Sequence, residues 1–449
     1  MKAGLGKLDI FSVALGSIIG WGAFMLPGSK FLGEAGIINT SIGLILGAIA
    51  MIIIEKSYEI MISNHNGSGG EFSYIYKEMG ELHGFSCGWF LSLAYLSIIP
   101  LNATAFPLVI NKVLDDALKF GYLYSIAGYD VYLGEILISS LIIIFFAIIN
   151  LRGLKKTINI QKFITIFLIV FVFIITIGMF IKVDTNYLND TYIKNSNIEL
   201  SQIFKIFAIT PWAFIGFDAI PQLTQDMKFS PEKSSRIAVL SIVFATIIYN
   251  LLNIITGMVY SPSDLATIDW PTGMAVLNNI GKASFILLVL ALTFAVWSGL
   301  NGFMISTNKL MASMAEYGVL PKIFCKKNRY GENQNIIIFI SIISLIAPWF
   351  GRKTLNWIVD MSSIGATVSY GYVCYIMIKK SLNFKEKIIG LIGFLLSCFF
   401  ASLLLIPKSS AALDKEAFIA LISWIVIGVL YFKIKNIRIV RNNIKNKVK

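Results

Sequence analysis

The chain has little of what soluble catalysts rely on. Among 449 residues there are two histidines, His65 and His83, both beside one connection between apolar segments, so neither His-based catalysis nor a histidine metal site is expected. Cys87, Cys325, Cys374 and Cys398 lack CxxC spacing, which argues against a disulfide framework or a thiolate metal cluster. No GxxxxGK[ST] run is present, so ATP-driven work within this chain is not expected, and the N-terminus shows no cleavable signal pattern. No metal, no cofactor and no enzymatic chemistry are implied.

Charge is scarce too. Charged residues make up 14% of the chain against 56% hydrophobic, with a mean hydropathy of +0.75, which places it outside the soluble globular class. About twelve apolar segments are long enough to cross a hydrocarbon core of roughly 30 Å. They lie near 8–31, 37–62, 83–110, 133–151, 160–181, 201–225, 236–260, 284–315, 335–350, 354–378, 387–406 and 416–434. The expectation is an all-α polytopic membrane protein embedded in the lipid bilayer.

The net charge of +13 does not point to nucleic acid, because the basic residues gather in alternate connections. Arg152, Lys155 and Lys156 form one group, Lys228, Lys233 and Arg236 a second, Lys322, Lys326, Lys327 and Arg329 a third, and Lys379, Lys380, Lys385 and Lys387 a fourth. The tail beyond Lys433 is basic as well. The positive-inside rule assigns these connections and both termini to the cytoplasm of a multi-pass protein of the cell membrane.

Within the first segment, Gly16-Ser17-Ile18-Ile19-Gly20-Trp21-Gly22-Ala23-Phe24 is followed by Pro27, and an interior Gly costs a helix roughly 0.5–1 kcal/mol relative to Ala. A helix break is expected here. In hydrocarbon, freed backbone groups survive only where they are buried in protein or line a cavity, so a break near the midplane suggests a ligand site. The same glycines also suit close helix packing. A second interrupted stretch, Thr210-Pro211-Trp212-Ala213-Phe214-Ile215-Gly216-Phe217-Asp218, lies five apolar segments later, and a pair of broken helices in corresponding halves points to a transporter's binding site. Asp218 is the one acid placed deep in the membrane, either as a functional carboxyl or as a structural one satisfied by the freed backbone.

Other polar residues punctuate the apolar runs. Tyr95, Pro100 and Asn102 fall in the third segment, and Ser298-Gly299-Leu300-Asn301-Gly302-Phe303 through Lys309 in the eighth. Asp360, Ser362, Ser363 and Gly365 form a polar strip in the tenth. Glu59 sits at an interface, and the glycines and asparagines of 64–74 suit a short re-entrant turn.

As a set, these motifs resemble the amino acid–polyamine–organocation transporters. Gly16 to Phe24 is similar to their first-helix motif, Ser68-Gly69-Gly70-Glu71-Phe72-Ser73-Tyr74 to the turn between helices two and three, with Asn66 where Pro is usual, and Trp212 to Asp218 to their sixth-helix motif, with Asp for the commoner Glu. Asn301-Gly302 through Lys309 to Met314-Ala315-Glu316-Tyr317-Gly318-Val319-Leu320-Pro321 resembles the eighth-helix signature, with Lys309 where Arg is usual.

The resemblance implies the LeuT-like fold: twelve transmembrane helices, a 5+5 inverted repeat with helices 1 and 6 broken, and two peripheral helices. Residues 1–182 and 201–380 would be the two repeats, 385–435 the peripheral helices 11 and 12, and 436–449 a basic tail. It also implies an amino acid or related small amine as substrate, moved by alternating access as exchanger or ion-coupled symporter. The substrate would meet the backbone of Ser17, Ile18, Gly20, Gly22 and Ala23 at the first break and of Ala213, Phe214 and Gly216 at the second. Tyr95, Ile98, Asn102 and Phe303 would shape its side-chain pocket, with Trp212 as an aromatic gate. Asp218 and Ser298 are the candidate coupling residues, for a proton or sodium. The fifth-helix Lys of proton-coupled members and some exchangers is absent, because Leu168 stands at that spacing after Gln161 and Lys162 lies near the basic end. A receptor of the same fold that binds an amino acid and signals through a partner is the alternative.

Overall fold

A computed structural model describes residues 4–64, 69–194, 196–230, 232–265, 267–268, 270–407, 409 and 412–447. The chain opens with α1 (Lys7–Ile18), which stops where Ile19 turns extended at φ −85°, ψ 97°. It resumes as α2 (Gly22–Leu26), and a π-helical turn over Pro27–Phe31 leads into α3 (Leu32–Asn64), bent at Gly36. Next come α4 (Gly70–Met79) and α5 (Glu81–Val113), the strands β1 (Tyr122–Ile126) and β2 (Tyr129–Tyr132), then α6 (Leu133–Leu151) and α7 (Leu154–Lys182). After the short α8 (Asn186–Leu188), the second interrupted region comprises α9 (Leu200–Ala208), α10 (Thr210–Ala213) and α11 (Ala219–Gln222). The remainder is α12 (Glu232–Gly257), α13 (Pro262–Leu265), α14 (Pro271–Glu316), α15 (Gln334–Ile346), α16 (Gly351–Lys380), α17 (Phe384–Leu405) and α18 (Lys415–Lys447).

Among the described residues, ten stretches are helical, long and apolar enough to cross a membrane. The two regions containing α1–α2 and α9–α11 are the interrupted ones. Leu141, Ile144 and Ile148 on α6, and Ile166, Val170, Ile174 and Ile177 on α7, stand exposed at helical spacing. An apolar row turned outward is what a helix offers to lipid rather than to water. The chain is a multi-pass membrane protein. At the centre lies α5, against which α14 and α16 pack along their length, whereas α17 and α18 are the least buried of the ten.

Three features depart from the sequence reading. The hairpin between α5 and α6, pairing Tyr122 with Tyr132 and Ile126 with Tyr129, interrupts an otherwise all-α chain, because Gly121 and Gly128 turn with positive φ between β-prone tyrosines. The expected short turn at 64–74 includes a ten-residue helix, α4, started by Gly69 in the left-handed region; Asn66 and Ser68 of its motif, with His65, lie outside the described residues. Asp218 is joined by two other deeply buried acids, Glu55 and Glu71. Glu55 accepts from Ser235 Oγ at 2.9 Å and Glu71 from Gln222 Nε2 at 2.6 Å, polar contacts that make such burial tolerable.

Candidate functional site

The two breaks meet face to face. Gly216 takes φ +127°, and a Cβ there would lie 2.7 Å from Ser17 Cβ and 2.8 Å from Ile18 N, so the second break touches the first without side chains between them. Tyr249 on α12 spans the junction, its hydroxyl donating to Ala213 O at 3.1 Å and within 3.4 Å of Ile18 O. One phenol therefore serves carbonyls freed at both breaks. Asn102 Oδ1 accepts weakly from the Trp21 backbone N–H at 3.4 Å, while its amide donates to Ile98 O within α5.

Around this junction lies a cavity of about 30 Å³, lined by Ser17, Ile18, Gly20, Trp21, Gly22, Ile98, Leu101, Asn102, Trp212, Ile215, Tyr249 and Phe303. Eight of these were expected as site residues: Ser17, Ile18, Gly20, Gly22, Ile98, Asn102, Trp212 and Phe303. The Ser17 hydroxyl and the indole N–H groups of Trp21 and Trp212, three residues that line this cavity, are buried without hydrogen-bond partners. The space is that of about one water molecule, so an amino acid needs the walls to part.

Five expected residues do not reach the cavity surface. Ala23 and Phe214 are buried behind it, Ala213 offers its carbonyl to Tyr249, and Gly216 is pressed against Ser17. Tyr95 lies in the next layer, its ring 5.6 Å from Phe303 and its hydroxyl donating to the Asp218 carbonyl at 3.1 Å. Sequence reasoning in turn missed Trp21, Leu101, Ile215 and Tyr249. Leu101 had a legible signal, since it is three residues from Ile98 on the same helix face; Tyr249 had none.

Asp218 occupies that layer, away from the cavity. Its Oδ1 accepts from the Gly216 N–H at 2.8 Å and its Oδ2 is buried without a partner. Glu71 of α4 is equally buried and accepts from Gln222 Nε2 of α11 at 2.6 Å. Tyr58 and Tyr370, their rings 6.2 Å apart, pack against Phe217 beside them. The layer is acidic and phenolic, and no Lys or Arg among the described residues is hydrogen-bonded to either acid.

On the α7 side, the first break is backed by a neutral polar seam. Gln161 Nε2 donates to Ser298 Oγ at 2.8 Å and lies within 3.3 Å of Ser12 O; its Oε1 accepts from Asn301 Nδ2 at 2.8 Å, and Asn150 Nδ2 donates to Asn301 Oδ1 at 2.9 Å. Thr165 donates to Ser12 O and meets Ser298 Oγ at 3.2 Å. Thr165, one turn after Gln161, is thus the α7 residue facing this seam, rather than Leu168, which packs in the apolar core. Ser298 sits inside the seam with its hydroxyl engaged. Lys162 pairs with Asp9 at 2.7 Å, and Lys309 with Asp226 at 2.7 Å, where Leu5 joins the following segment through Leu5 N to Asp226 O and Lys228 N to Leu5 O. That pairing engages the Asp226 carboxylate.

Beyond the cavity on the hairpin-bearing side lies a vestibule of about 400 Å³ that includes Lys30, Asp360, Ser363 and Asp414. Trp21, Leu101 and Trp212 line both spaces, so these three side chains are the wall between them.

Two broken helices enclosing a midplane cavity, within a shell of lipid-facing helices, define a transporter-type membrane protein. A sequence profile of the amino acid permease family matches residues 5–430. The chain belongs to this family, within the amino acid–polyamine–organocation superfamily, whose members are transporters and not enzymes. It is 25% identical over 415 residues to an arginine/agmatine antiporter of Chlamydia abortus, covering 87% of this chain and 83% of that one. It is 23% identical over 395 residues to a methylthioribose transporter of Bacillus subtilis (85% and 83% covered) and 22% over 407 residues to the branched-chain amino acid permease BcaP of the same organism (85% and 82%).

Substitutions at two positions test this packing. Gly216→Ala is expected to destabilise the fold by more than the roughly 1–2 kcal/mol of a left-handed non-Gly residue, because the new methyl also meets Ser17. Gln161→Leu removes the hub of the seam and is expected to cost about 2 kcal/mol, while Gln161→Glu, which adds a carboxylate beside the Ser12 and Ser298 carbonyls, costs more. Denaturant or thermal unfolding in detergent measures both; a Gln161→Leu protein as stable as the parent would show the seam to be energetically idle.

Proposed function

We propose that the chain is a secondary active transporter that carries an amino acid or related small amine through the cavity between its two breaks by alternating access. The observation that carries this reading is the junction of Ser17–Ile18 with Ala213–Gly216, beside a cavity whose lining includes residues with unpartnered buried donors and which is closed by Trp21, Leu101 and Trp212. Half-helix ends present positive partial charge at N-termini and negative at C-termini, which suits a carboxylate and an ammonium respectively. The proposed layout counts the broken regions as two further crossings, twelve in all, arranged as the 5+5 repeat with α17 and α18 outside it. Under the positive-inside rule the basic connections favour both termini in the cytoplasm and the hairpin outside the cell membrane.

The side chains on the cavity are aliphatic and aromatic, with Asn102 as the single amide and Ser17 as the single aliphatic hydroxyl. This favours an uncharged, apolar substrate side chain over a guanidinium or second amine, which would find no carboxylate on the cavity surface. The α7 seam is closed by neutral groups where coupled relatives carry a cation, which favours exchange over ion-driven uptake. Asp218 remains the candidate for any proton coupling, because a buried carboxyl without a cationic partner is poised to hold a proton.

Proteoliposomes preloaded with single amino acids or amines test these points. Uptake is expected only against internal substrate, and faster for branched aliphatic amino acids than for arginine or agmatine. Uptake driven by a pH or sodium gradient alone would replace the exchanger reading, and the opposite substrate order would replace the apolar one. Specific binding without movement under any condition would overturn the transporter. Comparing Asp218→Asn with the parent at two pH values separates the last element, since unchanged pH dependence removes Asp218 as proton carrier.

A further inference from the structure

We infer that Arg352 is the latch that holds the outer wall of the cavity shut. The inference rests on the transporter reading above. Arg352 follows Gly351, whose φ of +70° starts α16 against Ile126, Tyr129 and Val131 of the hairpin. Its side chain is turned inward and only 7% of the residue is exposed. The guanidinium carbon lies 4.4 Å from the centre of the Trp21 ring, and Nη1 donates to Leu101 O and to Thr104 Oγ1, both at 3.1 Å. One cation therefore grips two of the three wall residues, stacking on the first and hydrogen-bonding the backbone of the second.

The grip spans parts that must separate. Trp21 belongs to the first break, Leu101 and Thr104 to α5, and Arg352 to α16, so passage between vestibule and cavity requires the indole to leave either the guanidinium or its place beside Leu101. A desolvated guanidinium over an indole is among the stronger contacts available to a side chain, and its fork makes the hydrogen bonds directional where an ammonium would not. Burial of the charge is supported from behind. Arg352 Nη2 has no direct partner, and a pocket of about 20 Å³, enough for about one water, joins Arg352 to Glu135, Tyr129 and Ser139. Glu135 is held there by Tyr129 at 3.0 Å and by Asn111 at 2.8 Å, so the hairpin and α6 fix the counter-charge that steadies the latch. Arg352 does not itself line the cavity and acts through Trp21 and Leu101, as a positioning residue.

The reporter is Ile98→Cys, a cavity residue shielded by the wall, in a background whose four native cysteines are replaced, labelled by a membrane-impermeant thiol reagent from the hairpin side. Arg352→Ala is expected to speed labelling roughly fivefold or more as the population shifts toward the open wall. Arg352→Lys, which keeps a charge over Trp21 without the fork, gives an intermediate rate, and Thr104→Val, which removes one hydrogen bond, a rise of about twofold. Thr104→Val carries the test alone if Arg352→Ala fails to fold. Labelling unchanged in every folded variant, even with lowered thermal stability, would overturn the latch and leave Arg352 a structural cation. Counterflow by the parent protein tests the transporter reading separately.

Discussion

Everything in this fold answers to one constraint: a backbone that leaves its helix inside hydrocarbon must find partners for the N–H and C=O groups it frees. Each missing partner there costs several kcal/mol, far more than the roughly 0.5–1 kcal/mol by which a glycine weakens a helix. A break therefore survives only if the rest of the protein is arranged around it. Here the two breaks are set against each other, Tyr249 reaches the carbonyls of both, and α5 contributes Asn102 and Tyr95 from the opposite side. The cavity is what is left where these partners do not fully close over the freed groups.

Electrostatics divides the molecule into layers around that junction. The α7 seam is neutral, a run of amides and hydroxyls whose every member is both donor and acceptor, so it is satisfied without a charge and has little reason to open. The layer below the cavity carries Asp218 and Glu71 with phenols and an amide but no basic partner, an arrangement that becomes cheap only when protons are held. Further toward the basic face, the charges are paired, Lys309 with Asp226 and Lys162 with Asp9, where partial exposure to water limits what such pairs contribute.

Much of this was legible in the sequence, and the reasons are specific. Long apolar runs report on lipid because the bilayer enforces their length over whole segments. The breaks were legible because glycine and proline act locally on backbone geometry. Eight of the residues on the cavity were among those expected: Ser17, Ile18, Gly20, Gly22 and Trp212 on the interrupted stretches themselves, and Ile98, Asn102 and Phe303 through the family resemblance. What escaped was set by tertiary contact. Tyr249 sits in a plain apolar helix, and nothing in its neighbours says that its hydroxyl ends at two carbonyls. Glu71 read only as part of a turn motif and Glu55 drew no reading, because burial is a property of the helices packed over them. Arg352 falls between two apolar segments, and its side chain runs inward to an indole 331 positions earlier in the chain.

That last contact bears on how a membrane protein can use a buried cation at all. A guanidinium in an apolar wall is expensive, and replacing it with a packed aliphatic side chain would commonly leave the closed state no less stable. What an aliphatic side chain cannot provide is an abrupt, all-or-none release: dispersion contacts loosen gradually, whereas a stacked, forked cation is either seated on Trp21, Leu101 O and Thr104 or separated from all three. A wall built this way has two discrete arrangements rather than a continuum, which is what alternating access demands of a gate. The hairpin fits the same logic, because by packing on Gly351 and presenting Tyr129 to Glu135 it fixes the seat of the cation while leaving the indole free to move.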